Sequence, residues 1–276
     1  MRETFFHHAS RFLFRNRIDI ALVYAILIFS IFYFFAPDPF SLENALAGAG
    51  LVMIFAGSYL LNRACDITED RISQTEEAAR FADRRELFII SGILFVLPFA
   101  LAPILILFGL KVLPIEFLIF IPLSLLYSYP LFKGKRAKDI FILKNIYAAF
   151  SWHLSALFLF IFYLEFPAES VIGRFFYLFF IILAYEILWD IKDVAGDKKA
   201  RVKTIPDTWG LPATRLVLSV ILLLALALSY WAGAYVSIIT TLYLFVWTFL
   251  LSARTSLWVY HAIFLGQALI MLLGLL

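Results

Sequence analysis

The sequence predicts an all-α polytopic membrane protein that forms a single domain over residues 1–276. Hydrophobic residues fill 63% of the 276 positions and charged residues only 16%, with a mean hydropathy of +0.93. A soluble domain carries about 25% charged residues, so the apolar excess must face lipid. The one cysteine, Cys65, excludes a disulfide framework, and the net charge of +3 is too small to indicate a nucleic-acid partner.

Nine apolar stretches, bounded by charges, prolines and glycines, are predicted to cross the bilayer. About 20 apolar residues are needed to span a hydrocarbon core of roughly 30 Å. The fourth stretch is short, and an alternative extends it through Tyr127 to Phe132 if neighbouring helices cover the carbonyl freed by Pro130. The first is too long for a signal-peptide core, so we expect no cleavage. The stretches are 18–36, 45–61, 87–107, 115–126, 145–164, 171–189, 216–232, 235–251 and 257–276.

Lysines and arginines predict which side of the membrane each loop faces, because cytoplasmic loops retain positive charge. With nine spans and a cytoplasmic amino terminus, every lysine and arginine except Lys111 and Arg174 falls on the cytoplasmic side. An even number of spans would spoil this alternation. We therefore expect a multi-pass protein of a prokaryotic cell membrane whose amino terminus and functional site are cytoplasmic.

The amino-terminal segment 1–17 interleaves aromatic residues with four arginines. This pattern suits a helix that lies in the headgroup layer of the membrane. A basic flank that only fixes the orientation of the first span fits equally well, and both interpretations stay open.

Acidic residues cluster at two places on the predicted cytoplasmic side. After the second span, Asn62, Asp66 and Asp70 recur at steps of four, which places them on one face of a continuing helix. After the sixth span, carboxylates recur at spacings that return close to whole helical turns, although Gly196 is a potential break in that helix. The members of this second stripe are Glu186, Asp190, Asp193 and Asp197.

The two clusters lie 124 residues apart in matched register, with Asp66 corresponding to Asp190. Carboxylates at a membrane boundary repel one another and lose hydration, so cations must neutralise them. Oxygen ligands select Mg²⁺, which commonly bridges few carboxylates to phosphate oxygens. The pattern predicts a binding site for Mg²⁺ and a diphosphate. The alternative is that each cluster is a solvated helix end. Basic residues that could bind the remaining phosphate charge stand beside both clusters, among them Arg63, Arg71, Lys198 and Lys203.

These segments resemble the UbiA superfamily of intramembrane prenyltransferases. Asn62, Asp66 and Asp70 match its first motif, and the segment from Asp190 through Gly196–Asp197 to the Lys-Thr-Ile-Pro run at 203–206 matches its second. A third likeness is the Tyr-rich segment 127–131 followed by Lys144 and Asn145. The sequence departs from many members because the basic segment after the first motif contains no proline and the amino-terminal segment lacks an Arg-Pro pair.

The resemblance implies nine helices around a central cavity with a cytoplasmic active-site cap made of two Asp-rich loops, 62–86 and 190–212. It implies Mg²⁺-dependent transfer of a prenyl group from a polyprenyl diphosphate, such as geranylgeranyl diphosphate, to a lipophilic acceptor by ionisation to an allylic carbocation. The Asn-Arg start of the first motif favours an aromatic quinone precursor as acceptor, and no obligatory protein partner is implied. The implied metal ligands are Asp66, Asp70, Asp190, Asp193 and Asp197. The implied catalytic residues are Asn62, Tyr127, Lys144 and Asn145, with an interfacial belt tyrosine as the alternative for Tyr127.

A cation or proton transporter that uses the carboxylates as an ion path is the alternative from a different class. Transporters place ionisable groups near the middle of the membrane, whereas here almost all lie at one face, which favours the enzyme.

Three further polar residues lie in or beside apolar stretches. His153 and Glu186 are candidates for binding an acceptor or shaping the second metal site, with a hydrogen-bonded packing role as the alternative for His153. Gln267 is predicted to hydrogen-bond between helices.

Overall fold

The computed structural model describes residues 41–73, 83–110, 118–130, 136–158, 168–200, 202–231 and 235–273. These residues form α-helices joined by short connections, and none of them is in a β-strand. The expectation of an all-α fold is therefore confirmed for the described part of the chain. In chain order the helices are α1 (Leu42–Ser73), α2 (Arg84–Ala100), α3 (Ala102–Leu107), α4 (Phe120–Ser128), α5 (Leu143–Phe158), α6 (Ala168–Ala200), α7 (Ile205–Trp231), α8 (Tyr235–Leu250) and α9 (Leu257–Leu273), with a 3₁₀ helix at Ala137–Asp139 between α4 and α5.

The two longest helices are the two that carry the acidic clusters. Helix α1 has 32 residues and α6 has 33. At 1.5 Å per residue each is roughly 50 Å long, which exceeds the hydrocarbon core by roughly 20 Å. Each helix is thus long enough to continue past an apolar span, and the aspartates lie towards its carboxyl-terminal end.

The prediction that 62–86 and 190–212 are loops is therefore wrong for most of their described residues, which are helical. Residues 62–73 continue α1, and residues 190–200 continue α6 through Gly196. A glycine in a helix interior costs only about 1 kcal/mol, and Gly196 is buried, so packing outweighs its preference for a break. After α6, residues 202–204 are non-helical and α7 begins at Ile205.

Helix α6 lies at the centre of the bundle and packs against α1, α5 and α7. It is apolar on nearly all sides, as expected of a helix surrounded by other helices rather than lipid. In its carboxyl-terminal half, the ring of Trp189 contacts the rings of Tyr260 and Phe264 on α9. The buried α6 side chains include Leu178, Ile181, Ala184, Ile187 and Leu188.

Three helical stretches in the described part of the chain are long and apolar enough to cross a bilayer: Ala45–Ile67, Arg84–Leu107 and Ile205–Trp231. Helices α8 and α9 are apolar but shorter. The first predicted span and the interfacial segment 1–17 lie outside the described residues. The count of nine spans stays a prediction.

Two helix boundaries differ from the sequence expectations. Helix α4 ends at Ser128, and Tyr129 is already extended, so the alternative helix through Phe132 is wrong. The residue before a proline is sterically disfavoured in the helical conformation, and Pro130 follows Tyr129. Helix α7 starts before the predicted span, with a kink at Gly210, whose φ of 78° is a conformation that glycine adopts without strain.

Candidate active site

A ladder of polar contacts joins α1 to α4 and leads towards the first acidic cluster. The Ser58 and Ser124 hydroxyls are 2.7 Å apart, and one turn further along both helices the Ser128 hydroxyl donates to Asn62 Oδ1 at 3.3 Å. From the first contact to the second, the residue numbers increase along both helices, so α1 and α4 run parallel. That is the relation expected of the second and fourth spans in the predicted topology.

Asp66 lies one turn beyond Asn62 and is bound by two cations from the connection between α4 and α5. Arg136 Nη1 donates to Asp66 Oδ1 at 3.1 Å, and Lys138 Nζ forms an ion pair with the same oxygen. Lys138 Nζ also donates to Asn62 Oδ1 at 3.3 Å. Lys138 itself is buried, and the Asp66 side chain is only 14% exposed. Asn62 and Asp66 therefore belong to a compact, charge-paired group rather than to a solvated helix end.

Asp190 is bound by two residues at the start of α5. Lys144 Nζ donates to Asp190 Oδ1 at 2.6 Å, and Asn145 Nδ2 donates to Asp190 Oδ2 at 2.8 Å. The Asp190 side chain is 3% exposed. Charge-assisted hydrogen bonds of this kind are the means by which proteins stabilise a buried carboxylate.

One segment, residues 136–145, thus holds both acidic clusters. Its 3₁₀ helix binds Asp66 and its far end binds Asp190. Tyr127, near the end of α4, lies within electrostatic range of both of these carboxylates and of Lys144 and Glu186. The structure therefore brings together Asn62, Asp66, Asp190 and the predicted third group of Tyr127, Lys144 and Asn145.

The remaining aspartates of the second cluster differ in their surroundings. Asp193 is 36% exposed and pairs with Lys192, 3.2 Å away. Asp197 Oδ2 is buried and has no hydrogen-bond partner in the described part of the chain. Burial, together with the charges of Asp190 and Asp193 and against the opposing charge of Lys144, raises the pKa of Asp197 to about 7. Burial thus disfavours the ionised form of this carboxyl, and a cation beside it would favour that form.

Within the described residues, no group of three His, Cys, Asp or Glu side chains has the arrangement of a preformed metal site. Mg²⁺, however, commonly binds one or two carboxylates and completes its shell with waters and phosphate oxygens. The oxygen-only donors and the unpartnered Asp197 oxygen fit that mode of binding. Among the predicted metal ligands, Asp70 lies in α1, but the structure describes only its backbone.

The predicted phosphate-binding residues are placed less uniformly. Arg63 is buried within α1, whereas Lys198 and Lys203 are exposed and form no ion pair with described residues. For Arg71 the structure describes only the backbone. The buried Thr204, Ile205 and Pro206 anchor the segment that follows Lys203. These four assignments stay predictions.

Three residues of the site, Arg136, Lys138 and Asp139, were not predicted from the sequence. They lie in a basic segment with one acidic residue directly after the Tyr-rich motif. The positive charge of that segment was used only to predict which side of the membrane the loop faces. Glu186 is within electrostatic range of Tyr127, as expected of a residue at the second cluster. The side chain of His153 lies outside the described side chains, and both amide atoms of Gln267 are buried without a partner in the described part of the chain, contrary to its predicted interhelical hydrogen bond.

The model of the UbiA prenyltransferase family matches residues 22–269 of this sequence. The chain belongs to this family. The expectation of a prenyltransferase is confirmed at this level, and membership together with the apolar helices identifies an integral membrane protein. The family also favours the enzyme over the ion-transporter alternative.

Three relatives show how far the similarity extends. The digeranylgeranylglyceryl phosphate synthase of Sulfolobus acidocaldarius is 28% identical over 182 residues, which cover 62% of this chain and 58% of that protein. The matched region thus spans less than two thirds of that relative. The structures of a UbiA homologue from Archaeoglobus fulgidus bound to DMAPP and Mg²⁺, and to GPP and Mg²⁺, have a TM-score of 0.70 at 17% and 18% identity, and each comparison covers 96% of this chain and 98% of the other. A structure of a digeranylgeranylglyceryl phosphate synthase has a TM-score of 0.55 at 20% identity over the same shares. At these identities the structures establish the fold alone.

Proposed function

We propose that this protein transfers a prenyl group from a polyprenyl diphosphate, such as geranylgeranyl diphosphate, to a lipophilic acceptor in the membrane. The observation that carries the proposal is the convergence of both acidic clusters on the single segment 136–145. A diphosphate needs several cations in one place, and this segment sets Arg136, Lys138 and Lys144 beside the two principal aspartates. The related structures bound to Mg²⁺ and to DMAPP or GPP support the same ligand class.

The residues that would hold Mg²⁺ are Asp66 and Asp190, with Asp70, Asp193 and Asp197 nearby along the same two helices. When bound, the metal neutralises charge on the departing diphosphate, as is usual for metal ions that stabilise phosphate oxygens.

The protein's own groups then have separate roles. Lys144 and Asn145 fix the orientation of the Asp190 carboxylate, and Lys138 joins Asp66 to Asn62. Tyr127 contributes an aromatic wall, since its ring stacks on Tyr147 with the centroids 5.6 Å apart. Burial of these groups keeps bulk water from the allylic cation, and groups fixed in advance lower the cost of charge separation.

Two acceptor classes have support from different observations. The Asn62–Arg63 start of the first motif favours an aromatic quinone precursor. The named synthase relative favours a glyceryl phosphate lipid. Both acceptors are lipophilic and present a nucleophilic atom next to a polar head.

The decisive experiment incubates the full chain in lipid nanodiscs with labelled geranylgeranyl diphosphate, Mg²⁺ and each acceptor in turn, and identifies the products by mass. We expect a prenylated product with one acceptor class and loss of the product in excess chelator. The variant Glu43→Gln neutralises a carboxylate at the opposite end of α1 from Asp66 and should leave transfer unchanged. Transfer that continues undiminished in chelator, or no transfer to any lipophilic acceptor by folded protein, would contradict the proposal.

A further inference from the structure

Arg136 is shared between two carboxylates. Its Nε lies 3.0 Å from Asp139 Oδ1 and 3.1 Å from Oδ2, and its Nη2 lies 2.7 Å from Oδ1. The backbone N–H of Arg136 also donates to Asp139 Oδ2 at 2.9 Å. Only Nη1 points away from this fork, and it donates to Asp66 Oδ1 at 3.1 Å.

This geometry fixes the guanidinium plane. A carboxylate that accepts from Nε and Nη2 together orients the planar group in a way that a single contact does not. The 3₁₀ helix Ala137–Asp139 makes the fork possible because it brings Asp139 back to the backbone and side chain of Arg136. The Arg136 side chain is only 11% exposed, so few alternative directions remain for it.

The charge state of Asp139 is consistent with this role. Burial acts to raise the pKa of the Asp139 carboxyl, but the hydrogen bonds and positive charge of Arg136 outweigh it, and the pKa lies below its ordinary value. Asp139 therefore remains ionised at neutral pH and keeps its hold on the guanidinium.

We propose that Asp139 is a positioning residue of the diphosphate site, which acts through Arg136. It presents one nitrogen of the guanidinium to Asp66 and prevents Arg136 from taking Asp66 as its own two-pronged partner. Asp66 thereby retains a free oxygen direction for a metal ion, and the positive charge stays beside the place where the diphosphate binds. This inference rests on the proposed function and assigns a residue that belongs to neither acidic cluster.

The sign of one substitution separates positioning from simple electrostatics. If Asp139 acted only as a negative charge near an anion site, its neutralisation would tighten the binding of a diphosphate. If it positions Arg136, its neutralisation loosens the guanidinium and weakens binding. The two accounts predict opposite changes for Asp139→Asn.

The test measures binding of inorganic pyrophosphate with Mg²⁺ to the full chain in nanodiscs, by calorimetry and by the ligand-dependent shift in melting temperature. We expect Asp139→Asn to bind about tenfold more weakly than wild type, and Glu43→Gln to bind as wild type does. In kinetic assays, Asp139→Asn should raise KM for the prenyl diphosphate about tenfold and leave KM for the acceptor unchanged.

A double-mutant cycle completes the test. If Asp139 acts through Arg136, the double variant Asp139→Asn/Arg136→Gln should bind pyrophosphate no more weakly than Arg136→Gln alone. Additive losses, or unchanged or tighter binding by folded Asp139→Asn, would overturn the positioning role while leaving the proposed function intact. A wild-type protein that binds no pyrophosphate with Mg²⁺ would contradict both.

If Asp139→Asn fails to fold, Arg136→Lys takes its place in the experiment. Lysine keeps the positive charge but cannot form the fork with Asp139. Weaker pyrophosphate binding by this variant supports the positioning role, and wild-type binding overturns it.

Discussion

The two acidic clusters carry similar sequence patterns but are stabilised in different ways. Asp66 is paired with two cations, Arg136 and Lys138, and its side chain remains 14% exposed. Asp190 is paired with one cation, Lys144, and one neutral amide, Asn145, at 3% exposure. A more deeply buried carboxylate with less positive charge around it depends more strongly on each partner. Substitutions at the two clusters should therefore differ in their effect on stability even where they agree in their effect on activity.

The largest expected effect is that of Asp190→Ala. Turnover should fall by roughly 10³-fold, because a metal ligand is lost, and the free energy of unfolding should fall by about 3 kcal/mol, because the half-buried Lys144 and the buried Asn145 both lose their hydrogen-bond acceptor. Product formation and thermal unfolding in the same nanodiscs measure both quantities. Asp190→Asn, which keeps polar atoms beside Lys144 and Asn145, is the control for folding, and full activity of Asp190→Ala would contradict the assignment.

Asp66→Ala should match this loss of turnover but not the loss of stability. Arg136 keeps its fork with Asp139, and the buried Lys138 keeps its hydrogen bond to Asn62, so neither cation is left without an acceptor and we expect a decrease of only about 1 kcal/mol in the free energy of unfolding. The comparison uses melting temperatures of both alanine variants under identical conditions. Equal destabilisation by the two would show that the clusters are supported in the same way, contrary to the contrast in their partners.

Asn145→Ala sharpens the comparison by removing only the neutral partner of Asp190. One buried carboxylate oxygen then lacks its donor, which costs about 1–3 kcal/mol, and turnover should fall by about tenfold. Ser124→Ala is a suitable control, because it removes a hydroxyl from the ladder between α1 and α4 while Ser58 still donates to Ile54 O. Activity and unfolding are measured together, and a larger loss of activity in the serine variant would argue against the role of Asn145.

The smallest effect on activity concerns a buried polar group outside the site. Gln267→Leu should leave activity unchanged and raise the free energy of unfolding by about 1 kcal/mol, because both amide atoms are buried without a partner among the described residues. Thr248→Val, which removes a hydroxyl bonded to Leu244 O, should not stabilise the protein. A marked loss of stability in Gln267→Leu would show that the amide has a partner in the membrane-embedded protein.

Much of the site followed from the sequence because helical spacing is local. Steps of four place Asn62 and Asp66 on one face of any continuing helix, and apolar runs of about 20 residues require a membrane. Spacing also predicted the second stripe, although Gly196 looked like an end to the helix. The structure shows otherwise, since the packing of α6 against its neighbours outweighs the weak preference of a single glycine.

The amino-acid sequence by itself determined that the chain is helical and membrane-embedded and that its aspartates lie at the ends of two spans, because hydrophobicity and helical periodicity are properties of neighbouring residues. Only the tertiary structure decided which cations meet those aspartates. Arg136 and Lys138 reach Asp66 across 70 and 72 positions, and Lys144 reaches Asp190 across 46. Such partners depend on how α1, α4, α5 and α6 pack together, and no local pattern in the sequence encodes that packing.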